Sequence, residues 1–390
     1  MKKIFLTLIL VLPLMFFSFA QIEKHSTNDS ATIILNSNYS KASTLQSIMD
    51  RYSKDGLPGV SLAVYSESEG WWEGSAGYAR IESKTPMKPT HLQFLQSVSK
   101  TYMAVVILKL HEEKKIQLDE LITRYLPAKY SRHIKNADKI TVRMLLNHRS
   151  GVPEYSDNPA YISYLLLHPG LVFAIEDALK FISNEDLQFA PGSRYKYTNT
   201  NYLLLAMIAD AITGDHAAYM NKMIFRKLSL KNTFYRSSPG YLKYPNLVNS
   251  YWDILHTKNP ADISSIQNAN VATMKGDDGI VCTPEDAVKF LKGLMEGKLL
   301  KDSSLALMQK WVNNDEGKPT YGMGLFRFAE GDIVGYGHGG GGIGAGCLLI
   351  YIPVKKVYIF MATNIGVLFD DSPAIKAGEM RNEILATILS

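Results

Sequence analysis

The chain has 390 residues, of which 46% are hydrophobic and 20% charged, and its formal net charge is +5. This is the composition of a globular protein, long enough for one large domain or two subdomains around a shared core. The positive balance falls to about +3 once Lys2 and Lys3 leave with a cleaved leader, too mild to argue for nucleic acid as a partner.

Lys2 and Lys3 precede an apolar run from Ile4 to Phe17, and Ser18 and Ala20 are the small residues ahead of Gln21. The pattern predicts an export signal cleaved after Ala20, hence a periplasmic or secreted protein. The residue after that point is Gln21, not a cysteine that could carry a lipid, and no later apolar run is long enough for a bilayer, so no stable membrane anchor is expected. Residues 21–41, rich in Ser and Asn, read as a mobile leader.

A helix is predicted over 42–54 from Leu45, Ile48, Met49 and Tyr52. Two strands follow, Val60 to Tyr65 and Trp71 to Tyr78, split by polar residues. The middle reads as helices over 97–114, 141–147, 174–183, 199–213, 216–228, 284–296 and 303–312, with start signals at Thr141, Thr283-Pro284 and Asp302. Long irregular stretches, 152–173 and 229–280, separate them. Strands return over 322–328, 333–338, 346–352 and 357–364. A last helix starts at Ser372-Pro373 and carries Ala377, Met380, Ile384 and Ile388 on one stripe.

Strands at both ends must pair to build one sheet. The expected fold is α/β of the α+β kind: an antiparallel sheet flanked by the N- and C-terminal helices, with an all-helical subdomain inserted. The sheet subdomain would be 42–95 and 320–390, the helical one 96–319, together a single catalytic domain over 42–390. Their cleft is the natural place for a site. Cys282 and Cys347 read as two buried thiols in preference to a disulfide.

Three short stretches carry chemistry. Ser97-Val98-Ser99-Lys100 opens a run apolar on every face, so serine and lysine share one face at the head of a buried helix. A plain N-cap serine is the alternative. A second S-x-x-K, Ser193 to Lys196, follows Pro191-Gly192 in a turn. Tyr197-Thr198-Asn199 enters the next apolar helix: the tyrosine could relay a proton if cations depress its pKa, and the asparagine could bind an amide through donor and acceptor. Read alone, they are a core tyrosine and a capping asparagine. His338-Gly339-Gly340-Gly341-Gly342 ends a strand, where glycine allows close approach to the backbone and bare N–H groups can hold an oxyanion.

Taken in order, Ser97-x-x-Lys100, Tyr197-x-Asn199 and His338-x-Gly340 resemble the signature elements of the serine β-lactamase and penicillin-binding-protein superfamily. The tyrosine form resembles its class C β-lactamase and D-Ala-D-Ala carboxypeptidase branch. So do Leu145-Leu146-Asn147-His148-Arg149-Ser150-Gly151, Pro191-Gly192, Gly276-Asp277-Asp278-Gly279 and Tyr321-Gly322-Met323-Gly324, which read as structural turns. The resemblance spans residues 43–388. It implies acyl transfer through an ester on Ser97, with Lys100 as its base and Tyr197 sharing that role and later activating water. It further implies that Asn199 binds the substrate amide, that the N–H groups of Ser97 and Gly341 form the oxyanion hole, and that His338 and Gly340 bind substrate. His338, where many members have lysine, would recognise a carboxylate or tune Tyr197.

The substrate expected is a small molecule or short peptide: a cell-wall peptide, a β-lactam or an ester. An esterase and a penicillin- or peptide-binding protein without turnover are the alternatives. No cofactor or metal is called for. The nine histidines are scattered without an H-E-x-x-H pair, and no G-x-S-x-G elbow occurs. No glutamate base of the class A kind is identified.

Overall fold

The computed structural model describes residues 35–390 except 254, 256, 258 and 369–371, all within one compact unit, Ile33–Ser390. The expected export signal and the leader up to residue 34 lie outside the described residues. The remainder of that leader, 35–41, is docked rather than mobile. Asn36 N–H donates to the Trp71 carbonyl at 2.7 Å, Ser40 N and Oγ donate to the Glu69 carboxylate at 2.7 and 3.0 Å, and buried Tyr39 stacks on Trp72. One aromatic ring and satisfied polar groups outweigh a composition that reads as disordered.

Helix α1 (Ala42–Lys54) leads into the hairpin β1 (Gly59–Ser66) and β2 (Gly70–Arg80), then β3 (Thr85–Pro86). The central helices are α2 (Ser99–Glu112), α3 (Asn199–Thr213) and α4 (Pro284–Met295). Strands β4 (Val312–Asn313), β5 (Pro319–Tyr321), β6 (Phe326–Glu330), β7 (Ile333–Gly341), β8 (Gly346–Ile352) and β9 (Val357–Thr363) precede α5 (Ser372–Leu389). Among the described residues nine strands form one antiparallel sheet, ordered β3-β2-β1-β9-β8-β7-β6-β5-β4. The two ends of the chain join where Val60 faces Thr363 and Ser66 faces Val357.

Each face of the sheet has its own core. Leu45, Met49, Met380 and Ile384 of the terminal helices pack on Leu62, Val64, Ile350 and Ile359. On the other face Phe290 and Leu291 of α4 join Leu349, Phe360 and the apolar residues of α2. Each fully buried Leu, Ile or Phe contributes about 1.5–3 kcal/mol. No helix among the described residues is long and apolar enough to cross a membrane.

The inserted segment is not all-helical. Gln93–Phe94, Val281–Cys282 and Thr233–Phe234 form a three-stranded sheet, and Tyr251–Trp252 pairs with Ala261–Asp262. Helix α4 packs on the main sheet, and β4 is one of its strands. Helices Pro159–Leu167 and Ser264–Thr273 occupy stretches expected to be irregular. The first is apolar almost throughout and shows no period. The second is rich in Ser, Asn and Thr, weak helix formers. The Asn158-Pro159 start was nevertheless a usable signal: Asn158 Oδ1 accepts from Ala160 N–H at 3.0 Å. Cys282 and Cys347 are free thiols.

One detail of register places the site. Strand β6 ends its pairing with β7 at Phe326 opposite Gly337. Beyond that point His338 to Gly341 pair with β8 alone, so this segment presents a free backbone edge beside Ser97.

Candidate active site

Ser97 sits in a single 3-10 turn, Gln96–Val98, just ahead of α2. Gln96 is held at φ +47°, a left-handed conformation costly for a side chain of this size. Neither the turn nor the helix receives a side-chain cap, so the N-cap alternative for Ser97 fails. Its hydroxyl lies 3.0 Å from Lys100 Nζ instead.

Lys100 is wholly buried. Besides Ser97, its amine meets Asn199 Oδ1 at 2.7 Å and the Asp277 carbonyl at 2.8 Å. Two of these three neighbours can only accept, and the third is a hydroxyl that can also donate. A neutral amine, with two N–H bonds and one lone pair, can meet this set with the lone pair on the Ser97 proton, and an ammonium can meet it with three donors. Burial pushes the Lys100 pKa below its ordinary value, against the pull of Asp277, Asp278 and Glu154.

Tyr197 and Asn199 reach the same place from the start of α3. The Tyr197 ring centroid is 5.1 Å from Lys100 Nζ, and its buried hydroxyl has no hydrogen-bond partner among the described residues. Burial raises its pKa well above that of free tyrosine, with nearby Ser97 as the opposing influence. Tyr197 is therefore a phenol; the expectation that cations depress its pKa is not met. Asn199 does not cap α3, because Thr198 does, accepting from Thr200 N–H at 3.3 Å. With Oδ1 given to Lys100, Asn199 has only its Nδ2 donor to offer a ligand.

His338 departs from its expected role. Nδ1 is 2.6 Å from the Gly339 carbonyl, so it carries the proton and donates; Nε2 then accepts from Tyr321 O–H at 3.2 Å. Burial, with Lys100 adding to it, lowers the His338 pKa to about 3. A neutral ring with both nitrogens occupied brings no charge to a carboxylate. Gly340 is needed for packing as much as for ligand access: a Cβ there would lie 2.6 Å from the Leu95 carbonyl oxygen and 2.8 Å from Gln96 Cβ. Its close approach is to the loop that carries Ser97. Gly341 lies on the free edge, where a Cβ would make only ordinary contact with Val367, at 3.6 Å.

A cleft of about 550 Å³ contains Ser97, Tyr197, His338, Gly340 and Gly341 in its lining and runs on to the first turns of α5. Ser193 and Lys196 are exposed and far from this role; Ser193 Oγ donates to the Ala190 carbonyl at 2.7 Å.

Sequence reasoning missed four participants, all in or beside stretches read as turns. Asp277 supplies the carbonyl on Lys100, and Tyr155 O–H donates to its carboxylate at 2.8 Å. Glu154 accepts the backbone N–H of Asn199 and that of Ser156, and burial raises its pKa. His148, fully buried, lies with its ring centroid 4.3 Å from that of Tyr197. Its Nδ1 accepts from Thr198 N–H at 3.3 Å, and burial holds it neutral. Tyr321 orients His338. The usable signal was position: each lies within a few residues of a Gly-bearing turn.

Comparison with known proteins gives the family and the fold. The family model described as Beta-lactamase matches residues 43–377. The chain belongs to the beta-lactamase family. It is 26% identical over 313 residues to Penicillin-binding protein 4* of Bacillus subtilis, covering 74% of this chain but only 64% of that protein's length. Among solved structures it is similar to D-amino acid amidase from Ochrobactrum anthropi SV3 complexed with L-phenylalanine amide, at 25% identity and a TM-score of 0.76, over 89% of this chain and 97% of that one. The penicillin binding protein from Bacillus halodurans shares the fold at 19% identity and a TM-score of 0.71, over 87% and 98% of the two chains. The superfamily members and the amidase are serine hydrolases, and the sheet with flanking helices is the fold they share.

Proposed function

We propose that this protein is an exported serine hydrolase, periplasmic or secreted, that cleaves amides of the D-Ala-D-Ala or D-amino-acid type through an acyl-enzyme on Ser97. The observation that carries the reading is the set of three neighbours around Lys100, which leaves a buried amine's lone pair to the Ser97 hydroxyl. The family relation and the amidase likeness support amide hydrolysis.

In this mechanism Ser97 Oγ attacks the substrate carbonyl carbon while Lys100 Nζ takes its proton. The N–H groups of Ser97 and Gly341 receive the developing oxyanion. Tyr197, a phenol, gives its proton to the leaving nitrogen as the C–N bond breaks and is reprotonated from Lys100. Water then attacks the ester with the same groups acting in reverse, releasing the acid and restoring Ser97. Asn199 Nδ2 donates to the substrate's amide carbonyl.

Intact mass after incubation with a β-lactam, run with Ser97→Ala and Ser193→Ala, tests this. An adduct or β-lactam hydrolysis lost only in Ser97→Ala is expected. Absence of adduct, of β-lactam hydrolysis and of D-Ala-D-Ala peptide cleavage would overturn the amidase reading. The second reading, an esterase on small acyl esters, is favoured by one feature: the neutral, fully bonded His338 offers no charge to a substrate carboxylate. Turnover of p-nitrophenyl esters without peptide cleavage would select it.

A further inference from the structure

The turn that holds Lys100 is itself held by a buried chain of side chains that the chemistry above does not use. Asp277 lies in the turn Gly276–Gly279, packed so tightly on α3 that a Cβ at Gly276 (φ +80°) would lie 2.6 Å from Ala206 Cβ and from the Tyr202 carbonyl. Gly276 N–H donates to Tyr235 Oη at 3.0 Å. Tyr235 Oη is 2.9 Å from His216 Nε2, and His216 Nδ1 is 2.7 Å from Asp210 Oδ1 on α3. Tyr235 and His216 are both about 1% exposed.

The two ends fix the direction of their own bonds. A backbone N–H can only donate, and a carboxylate can only accept. So Gly276 donates to Tyr235, and Nδ1–H donates to Asp210. With a neutral ring, Nε2 then accepts from Tyr235 O–H. The second Asp210 oxygen binds Lys275 Nζ, the residue just before the turn, at 2.5 Å. Asp210, Asp215 and His216 have ligand atoms within 4.8 Å of one another, but Asp215 Oδ1 caps Ala217 and Ala218 N–H, and both Asp210 oxygens and both His216 nitrogens already have the partners described.

We propose that the Asp210–His216–Tyr235 chain is a positioning network that holds the Gly276–Gly279 turn so that the Asp277 carbonyl stays on Lys100. The inference rests on the assignment of Lys100 as the base for Ser97. The chain spans the distance from the far end of α3 to the base without touching the substrate cleft. It reaches the reaction only through one backbone carbonyl. That carbonyl takes one of the two amine hydrogens, so it sets where the lone pair points.

The groups facing Lys100 give the sign of the effect. They are Ser97 and Tyr197, Asn199, Glu154, Asp277 and Asp278 of the turn, and the neutral rings of His148 and His338. A hydrogen bond from an ammonium to a carbonyl is stronger than one from an amine. Loosening the carbonyl therefore costs the charged form more, and the Lys100 pKa falls further. The lone pair, no longer aimed, takes the Ser97 proton less well.

Tyr235→Phe keeps the ring and removes the link. Relative to wild type, kcat for a chromogenic ester or D-amino-acid amide is expected to fall about tenfold, with KM within about twofold. The acid limb of its pH profile should move to lower pH. Tyr219→Phe, which loses an exposed bond to Glu113 (2.7 Å), should leave both unchanged. If Tyr235→Phe does not fold, Asp210→Asn is read in its place, with a smaller loss in the same direction. Wild-type kcat and an unmoved acid limb in the folded variant would overturn the proposal and leave the chain a purely structural role. Labelling of wild-type Ser97 by a serine-reactive phosphonate is measured alongside: its absence would refute the Lys100 and Ser97 assignment, whatever the relay variants do.

Discussion

Lys100→Met is the substitution that weighs most on this site. Methionine replaces the apolar stem of lysine and ends where the amine begins, so the shaft that α2 presents toward Ser97 stays filled. What disappears is the amine and its contacts to Ser97, Asn199 and Asp277. General-base assistance of this kind is worth roughly 10²- to 10⁴-fold in rate, and the acylation rate should fall within that span. Stability moves less. Two buried carbonyl oxygens lose a donor, each costing about 1–3 kcal/mol. Against that stands the relief of no longer burying an ionisable amine, the effect that lowers its pKa. The balance should be a loss of a few kcal/mol at most. The assay is the second-order rate of phosphonate labelling at Ser97, beside a thermal melt. A folded Lys100→Met protein that labels within tenfold of wild type would place the base elsewhere and refute the reading of the three-neighbour arrangement.

Two further outcomes follow from other parts of the molecule. Gly340→Ala should abolish labelling of Ser97 and lower the melting temperature, because its Cβ would meet the Leu95 carbonyl at 2.6 Å, whereas Gly339→Ala, with nothing nearer than 3.9 Å, should fold normally; equal labelling in both would refute it. Glu73 faces Glu285, Asp286 and Lys289 with one oxygen unpartnered, and burial raises its pKa to about 7. The folded protein then holds a proton that the unfolded chain has already lost, so its contribution to stability falls as pH rises from about 4 to 7. His338 and His148 act oppositely at acid pH, so the difference between Glu73→Gln and wild type is the quantity to read. The variant should gain melting temperature relative to wild type at pH 8 over pH 5; a constant difference would show that Glu73 does not titrate there.

How far the site could be read from the chain depended on what kind of information each residue carries. Ser97, Lys100, Tyr197 and Asn199 declare themselves by spacing at helix starts, and the structure brings all four together. The pairing of the terminal strands was legible because strand-like runs at both ends had to share one sheet, and β1 does pair with β9. Asp277 was not legible, because it acts through its backbone carbonyl, which any residue possesses. Glu154 was not, because its partner is the backbone N–H of Asn199, again without a side-chain signature. His338 was legible as a site residue but not in its protonation, which depends on burial and on Tyr321, 17 positions away. Helix Pro159–Leu167 escaped because an aperiodic apolar run of only 9 residues is too short to tell helix from strand, unlike the longer run behind Ser97.

The groups around Ser97 share one electrostatic rule. Burial pushes the Lys100, His148 and His338 pKa values down and that of Tyr197 up. In every case the neutral form gains. The acids nearby follow it too: Asp278 rises to about 7, and Asp277 and Glu154 rise as well. A site in which each titratable group is driven toward neutrality stores no strong ion pair that the reaction must break. In the proposed mechanism the proton of Ser97 passes to Lys100, whose ammonium later reprotonates the phenol that has served the leaving nitrogen, while negative charge builds up on the oxyanion. That charge meets backbone dipoles held by the β7 register and by the turn ahead of α2, which need no reorganisation when it appears. On that proposal the fold contributes to catalysis chiefly through two acts: drying the base and fixing the dipoles.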